Sequence, residues 1–227
     1  MIKHNSALTN IKNILLFAYI TWLCSCNQNT TNENLTPLEK LKVGNHRFVK
    51  GNPIHPDETL KRIRELKKGQ HPFAVVVSCS DSRIPPELIF DQGLGNIFTI
   101  RTAGNVIGDY ELGSIEYAVE KFHCNLVIVL GHENCGAIEA FISSGNERHN
   151  GHIQNIIDYI ACEDEERAIW DSIKTNPDLA IKANIKHGVV SLQNSEPILK
   201  TLAKKKQVTI IGAYYDLDSG KVTFDEK

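Results

Sequence analysis

The sequence predicts an α/β fold: a central, mainly parallel β-sheet flanked by helices, with four parallel strands, a C-terminal antiparallel strand and an N-terminal helical arm. Two observations predict it. Short apolar, β-branched runs recur at Phe73–Ser78, Ile97–Arg101, Leu126–Leu130 and Val208–Tyr214, and segments with helical signals separate the last three of them from one another. Strands that alternate with helices are joined by crossovers, and crossovers favour parallel pairing. The second observation is positional. The residues able to do chemistry fall just past the carboxyl ends of two of these runs, where open α/β sheets hold their ligands.

The first elements are not part of the sheet. Lys3 and Lys12 give a basic start, and Ile14–Leu23 forms an apolar stretch shorter than the roughly 20 residues a spanning helix needs. Leu23-Cys24-Ser25-Cys26 follows and resembles a bacterial lipobox. Cys26, preceded by the small Ser25, fits the lipidated position better than Cys24, preceded by the bulky Leu23. Residues 1–26 are therefore expected to be a signal peptide with lipobox, and the Asn/Thr-rich residues 27–35 a polar tether. The expectation is an exported chain, periplasmic or anchored to a bacterial envelope through lipid on Cys26. An uncleaved signal anchor and a plainly secreted protein are the alternatives.

Residues 36–227 are expected to form one domain. Thr36-Pro37-Leu38-Glu39 reads as a capping box with proline at the first helical position, and Leu38, Leu41 and Phe48 recur at helical spacing until Gly51-Asn52-Pro53 ends the helix. A second helix is expected over Glu58–Lys68. After the strand at 73–78 and the strand at 97–101, helices are expected at Asp109–Lys121, from Cys135, around His152–Cys162 and over Asp178–Leu192. Lys204-Lys205-Lys206 marks a solvated helix end, and Asp218-Ser219-Gly220 turns the chain into a short last strand.

Two motifs carry the chemistry. Cys79-Ser80-Asp81-Ser82-Arg83 closes the first strand, and His132-Glu133-Asn134-Cys135 closes the third. Together they offer two thiolates and one imidazole. Zinc takes N and S ligands tetrahedrally, and three protein ligands leave a position for water, as catalytic sites do. A structural site would close with a second Cys or His beside Cys79, and none stands there. Taken singly, Cys79 reads more readily as a small buried hydrophobe than as a ligand, and His132 at least as readily as an ordinary polar residue. Jointly, with the Asp–Arg pair beside them, they read as a zinc site with an open position.

These residues resemble a known family. Cys-Ser-Asp-Ser-Arg with His-x-x-Cys is the signature of the β-class carbonic anhydrases, zinc enzymes that interconvert CO2 and bicarbonate, and the likeness runs from about Pro37 to the C-terminus. It includes Ile100-Arg101-Thr102-Ala103-Gly104-Asn105 and Gly113-Ser114-Ile115-Glu116-Tyr117-Ala118. The resemblance implies one zinc per chain on Cys79, His132 and Cys135. It implies an Asp81–Arg83 catalytic dyad that orients the attacking hydroxide, and substrate-binding roles for Gln70, Phe98, Tyr117 and the Gly136 N–H. Phe98 and Tyr117 would reach the pocket from the partner subunit, and the N-terminal helices, which in the family embrace the neighbouring subunit, imply a homodimer as the minimum assembly, with a tetramer open. The family also has a closed state with the aspartate on zinc, and in some members a regulatory bicarbonate site. That site includes a tryptophan where this chain reads Asn45-His46-Arg47-Phe48. An open, unregulated site is expected.

Physical chemistry supports the same roles. Two thiolates cancel the charge of zinc, so the site should acidify water less than a three-histidine site, and activity should rise on the alkaline side of neutrality. A bidentate Arg83–Asp81 pair would keep Asp81 off the metal. Net charge is −2 with no basic block, so nucleic acid is not an expected partner. Membrane contact is expected only through the lipid anchor. With four cysteines assigned, Cys124 and Cys162 remain, and two separate reduced thiols are expected. CS2 or COS hydrolysis on the same scaffold is the alternative enzyme reading, since these triatomics share the linear shape of CO2. A non-catalytic zinc-binding surface lipoprotein is the alternative outside enzymes.

Overall fold

The computed structural model describes residues 35–144, 148–162, 164–167 and 169–226. The expected signal peptide with Cys26, and residues 27–34 of the expected tether, lie outside them. The described elements belong to one unit that begins at Thr36.

Helix α1 (Pro37–Val49) starts as its sequence dictates. Glu39 N–H donates to Thr36 Oγ1 at 3.3 Å and Thr36 N–H donates to the Glu39 carboxylate at 2.8 Å, which satisfies two of the free donors of the first turn. Helix α2 (Leu60–Leu66) is shorter than the expected Glu58–Lys68, because Thr59 caps it from its side chain and fixes the start. Strand β1 (Ala74–Cys79) follows, buried along its whole length, and then a one-turn helix, α3 (Pro86–Ile89). Strand β2 (Ile97–Thr102) leads through the turn 103–105 into α4 (Asp109–Phe122). Strand β3 (Leu126–His132) is also wholly buried. Helices α5 (Gly136–Ser144), α6 (Ile153–Ala161), α7 (Asp164–Arg167), α8 (Trp170–Ile173), α9 (Pro177–Asn194) and α10 (Ile198–Lys204) precede β4 (Thr209–Tyr215) and β5 (Val222–Phe224).

The strands form one sheet in the order β2-β1-β3-β4-β5. The first four are parallel and β5 runs antiparallel to β4. β1 and β3 lie inside the sheet with both faces covered, which explains why they read as unbroken runs of Val, Ile and Leu rather than as alternating patterns. The register Ser78↔Leu130 brings the carboxyl ends of β1 and β3 side by side, and His132↔Tyr215 aligns β4 with them. Cys79 and His132, the last residues of their strands, therefore share one rim.

The stretch Asn45–Phe48 has structural work. Asn45, nearly inaccessible on α1, donates to Ile89 O at 3.0 Å and to Gly220 O at 2.9 Å, and accepts from Val222 N–H at 2.9 Å. Arg47 pairs with the buried Asp91, whose carboxylate also takes the backbone N–H groups of Ile54 and His55. Asn45→Ala would leave three backbone groups without their partner. We expect it to cost roughly 2–4 kcal/mol in urea unfolding, since each buried unpaired group costs about 1–3 kcal/mol.

Candidate metal centre

Three ligand atoms converge at the rim. Cys79 Sγ, Cys135 Sγ and a ring nitrogen of His132 lie within 4.8 Å of one another, and all three residues are buried. The two sulfurs are 4.0 Å apart. Sulfurs bonded to a tetrahedral zinc at 2.3 Å would sit roughly 3.8 Å apart, so the pair needs almost no adjustment to accept the ion.

His132 provides the sharper test of fit. Its Nδ1 lies 2.8 Å from the Glu133 carbonyl and donates to it in the tautomer that leaves the Nε2 lone pair free. Nε2 is buried and has no hydrogen-bond partner among the described residues. A buried acceptor without a partner is costly. A metal ion removes that cost, and the donor set of two thiolates and one imidazole suits zinc.

The thiols are prepared by their surroundings. Without a metal the pair shares a proton: hydrogen bonding to Cys135 lowers Cys79, and the bond to Cys79 together with burial raises Cys135. Gly104 N–H donates to Cys79 Sγ at 3.3 Å. Cys135 is the N-cap of α5, with its carbonyl accepting from Glu139 N–H at 2.9 Å, and the N–H groups of Ala137 and Ile138 favour its thiolate. A dication held there would favour ionisation of both sulfurs.

Asp81 and Arg83 stand beside the cluster in the forked geometry. Arg83 Nε donates to Asp81 Oδ1 at 2.9 Å and Arg83 Nη2 donates to Oδ2 at 2.7 Å. The Arg83 backbone N–H adds a third bond to Oδ1. These bonds, the guanidinium first, hold the Asp81 carboxyl at about 2. Asp81 is not among the three converging residues. Arg83 Nη2 also reaches Asn134 O at 3.1 Å and so ties the two metal motifs together.

The other expected site residues are placed differently. Gly136 opens α5 next to Cys135, with clear space where a Cβ would stand. Phe98 and Tyr117 form one aromatic group around Phe122, at ring separations of 6.0 and 5.3 Å, and Tyr117 is 52% exposed. Gln70 is exposed in a cleft of about 810 Å³ lined by Ile63, Leu66 and Leu94 but by no metal ligand. Cys124 is buried, its S–H donating to Pro72 O, and Cys162 is exposed; both are free thiols.

Two residues without an assigned role support the site. Arg101 donates from Nε to Cys79 O at 3.1 Å and from Nη2 to Asp81 O at 2.6 Å, clamping the ligand loop from β2. Asn184 donates to Gly104 O at 2.9 Å from within α9. The signal for Asn184 was present: it is a polar residue in the buried stripe Ile181, Asn184, Ile185, Gly188.

Comparisons with known proteins agree with the geometry. A family model described as carbonic anhydrase matches residues 74–222. A carbonic anhydrase of Mycolicibacterium smegmatis is 47% identical over 122 residues, 53% of this chain and 59% of that protein. Carbonic anhydrase 2 of Mycobacterium tuberculosis is 46% identical over 123 residues, with the same shares. The chain thus spans about three fifths of the length of these curated relatives. Among solved structures, the β-carbonic anhydrase CcaA superposes with a TM-score of 0.67 at 25% identity, over 83% of this chain and 95% of that one. A tetrameric β-carbonic anhydrase from Sordaria macrospora superposes with a TM-score of 0.63 at 21% identity, over 71% and 84%.

Proposed function

The chain belongs to the β-class carbonic anhydrase family, and from that premise we propose that it catalyses the reversible hydration of CO2 to bicarbonate and a proton. The observation that carries the reading is the open three-ligand cluster, with an orphaned His132 Nε2, beside a forked and ionised Asp81.

Cys79, His132 and Cys135 would hold one zinc per chain. Bound there, zinc supplies the Lewis acidity that lets water act as a nucleophile near neutral pH. Asp81, acceptor-only because it is ionised, takes the hydrogen bond of that nucleophile and turns its lone pair toward the carbon of CO2. Arg83 occupies both carboxylate oxygens and restrains Asp81 from joining the ligands. The Gly136 N–H, at the start of α5, faces a substrate oxygen, and a Cβ there would intrude on the space the substrate needs. Gln70, Phe98 and Tyr117 complete the pocket across an interface in a homodimer or larger assembly; the exposure of Gln70 and Tyr117 in one chain supports this reading. We also propose export, with Cys26 as the lipidated anchor.

The pH dependence has a definite source. Asp81 ionises at about 2, so it is already charged across the working range. Its stabilising contribution is present above about pH 4 and is lost only as pH falls through about 2. A rise of activity between about pH 6 and pH 9 therefore belongs to the nucleophilic water and not to Asp81. Stopped-flow CO2 hydration is expected to rise across that interval. A flat profile would count against the proposed thiolate-neutralised site. Turnover of CS2 or COS with none of CO2 would move the reading to a different triatomic substrate.

A further inference from the structure

The turn after β2 adopts a conformation that it does not enforce by itself. Gly104 is left-handed at φ 68° and ψ 17°, and Asn105 follows at φ 46°. Two such residues in succession turn the chain back on itself, and the Gly104 N–H points at Cys79 Sγ, 3.3 Å away. Glycine has wide conformational freedom, so something must remove it. The ends of the loop are tied by Thr102 Oγ1 donating to Val106 O at 2.7 Å and Tyr159 OH donating to Ile107 O at 2.9 Å. Neither bond touches Gly104.

Asn184 does. It is 3% exposed, 80 residues further along the chain, and its Nδ2 donates to Gly104 O at 2.9 Å. An amide is expensive to bury in a stripe otherwise formed by Ile181, Ile185 and Gly188 unless it is paired, and leucine would pack there without that cost. We propose that Asn184 is a positioning residue for the metal centre, fixing Gly104 so that its N–H is delivered to the Cys79 sulfur. This rests on the reading of Cys79, His132 and Cys135 as metal ligands. The hydrogen bond sets the direction of the Cys79 sulfur, so without Asn184 the ligand loses its aim and holds the ion more weakly. The same bond draws electron density from the sulfur, so its loss also lowers the energy of the thiolate charge-transfer band. Outer-shell partners of this kind typically change metal affinity by roughly 10–100-fold.

Cobalt(II) tests the inference directly, because its thiolate charge-transfer band reports the donor strength of the sulfur. The full chain would be stripped of metal and titrated with cobalt(II), and its zinc affinity measured by competition with a chromophoric chelator. Asn184→Leu should fold, bind zinc about 10–100-fold more weakly and shift the charge-transfer band to lower energy. Tyr159→Phe, which loosens the same loop without touching Gly104, should leave both readouts at their wild-type values. An Asn184→Leu chain with wild-type band and affinity would overturn the proposal. So would a Tyr159→Phe chain that moves both as far, since Asn184 would then be one structural tie among several. If Asn184→Leu does not fold, Asn184→Ser, which removes the amide but stays small and polar, is held to the same two outcomes. A wild-type chain that binds neither cobalt nor zinc would instead overturn the metal-centre reading itself.

Discussion

Cys135→Ser is expected to empty the metal centre while leaving the fold standing. Serine is a preferred N-cap, so α5 keeps its first turn and the buried residue keeps nearly its volume. The hydroxyl, however, does not ionise in the working range and cannot replace a thiolate ligand. Two proposed ligands, Cys79 and His132, would then remain of three. Zinc content should fall from one per chain to below roughly a tenth, because the binding free energy is spread over few bonds and each is a large share. CO2 turnover should fall by at least about three orders of magnitude with it. Unfolding of the metal-free protein should shift by less than about 1 kcal/mol, within the range of a conservative cap change. Elemental analysis and a melt on one sample check both halves. Full zinc content in the variant would mean that Cys135 is not a ligand.

Arg83→Ala should separate activity from metal content. Removing the guanidinium deletes two side-chain bonds to Asp81 and the link to Asn134. The Asp81 carboxyl would move back toward the ordinary aspartate value near 3.9, which still leaves it ionised at neutral pH. Loss of charge is therefore not the effect. The effect is positional: a free carboxylate next to an open metal position can take that position and block it. Zinc should stay at one per chain while kcat falls about 100-fold, the size of a displacement of about 1 Å at a reacting group. Lysine at this position would supply charge without the planar fork and should restore little. Full activity in Arg83→Ala would remove Asp81 orientation from the account.

Much of this was legible because it is local. Two of the three proposed ligands end strands, so short apolar runs followed by Cys79 and by His132 announce both the sheet and the rim where the proposed chemistry lies. The capping box of Thr36 and Glu39 lies within four residues and folds as written. Boundaries slipped where a side chain decides them, as at Thr59 for α2. The one-turn helices α3, α7 and α8 are too short to show a period. The supports of the site were not legible in the same way. Asn45 meets Ile89, Gly220 and Val222, and Asn184 meets Gly104, across separations that no local pattern encodes. Arg101 lies inside a segment that resembles the family, yet its grip on the Cys79 and Asp81 carbonyls depends on the pairing of β1 with β2.

The most direct test of the central claim is stopped-flow CO2 hydration by the purified chain, with zinc measured on the same sample before and after chelation. The account predicts fast turnover with one zinc per chain at mildly alkaline pH, lost on removing the metal and regained on restoring it. A fully zinc-loaded chain that does not hydrate CO2 anywhere between about pH 7 and pH 9 would contradict it.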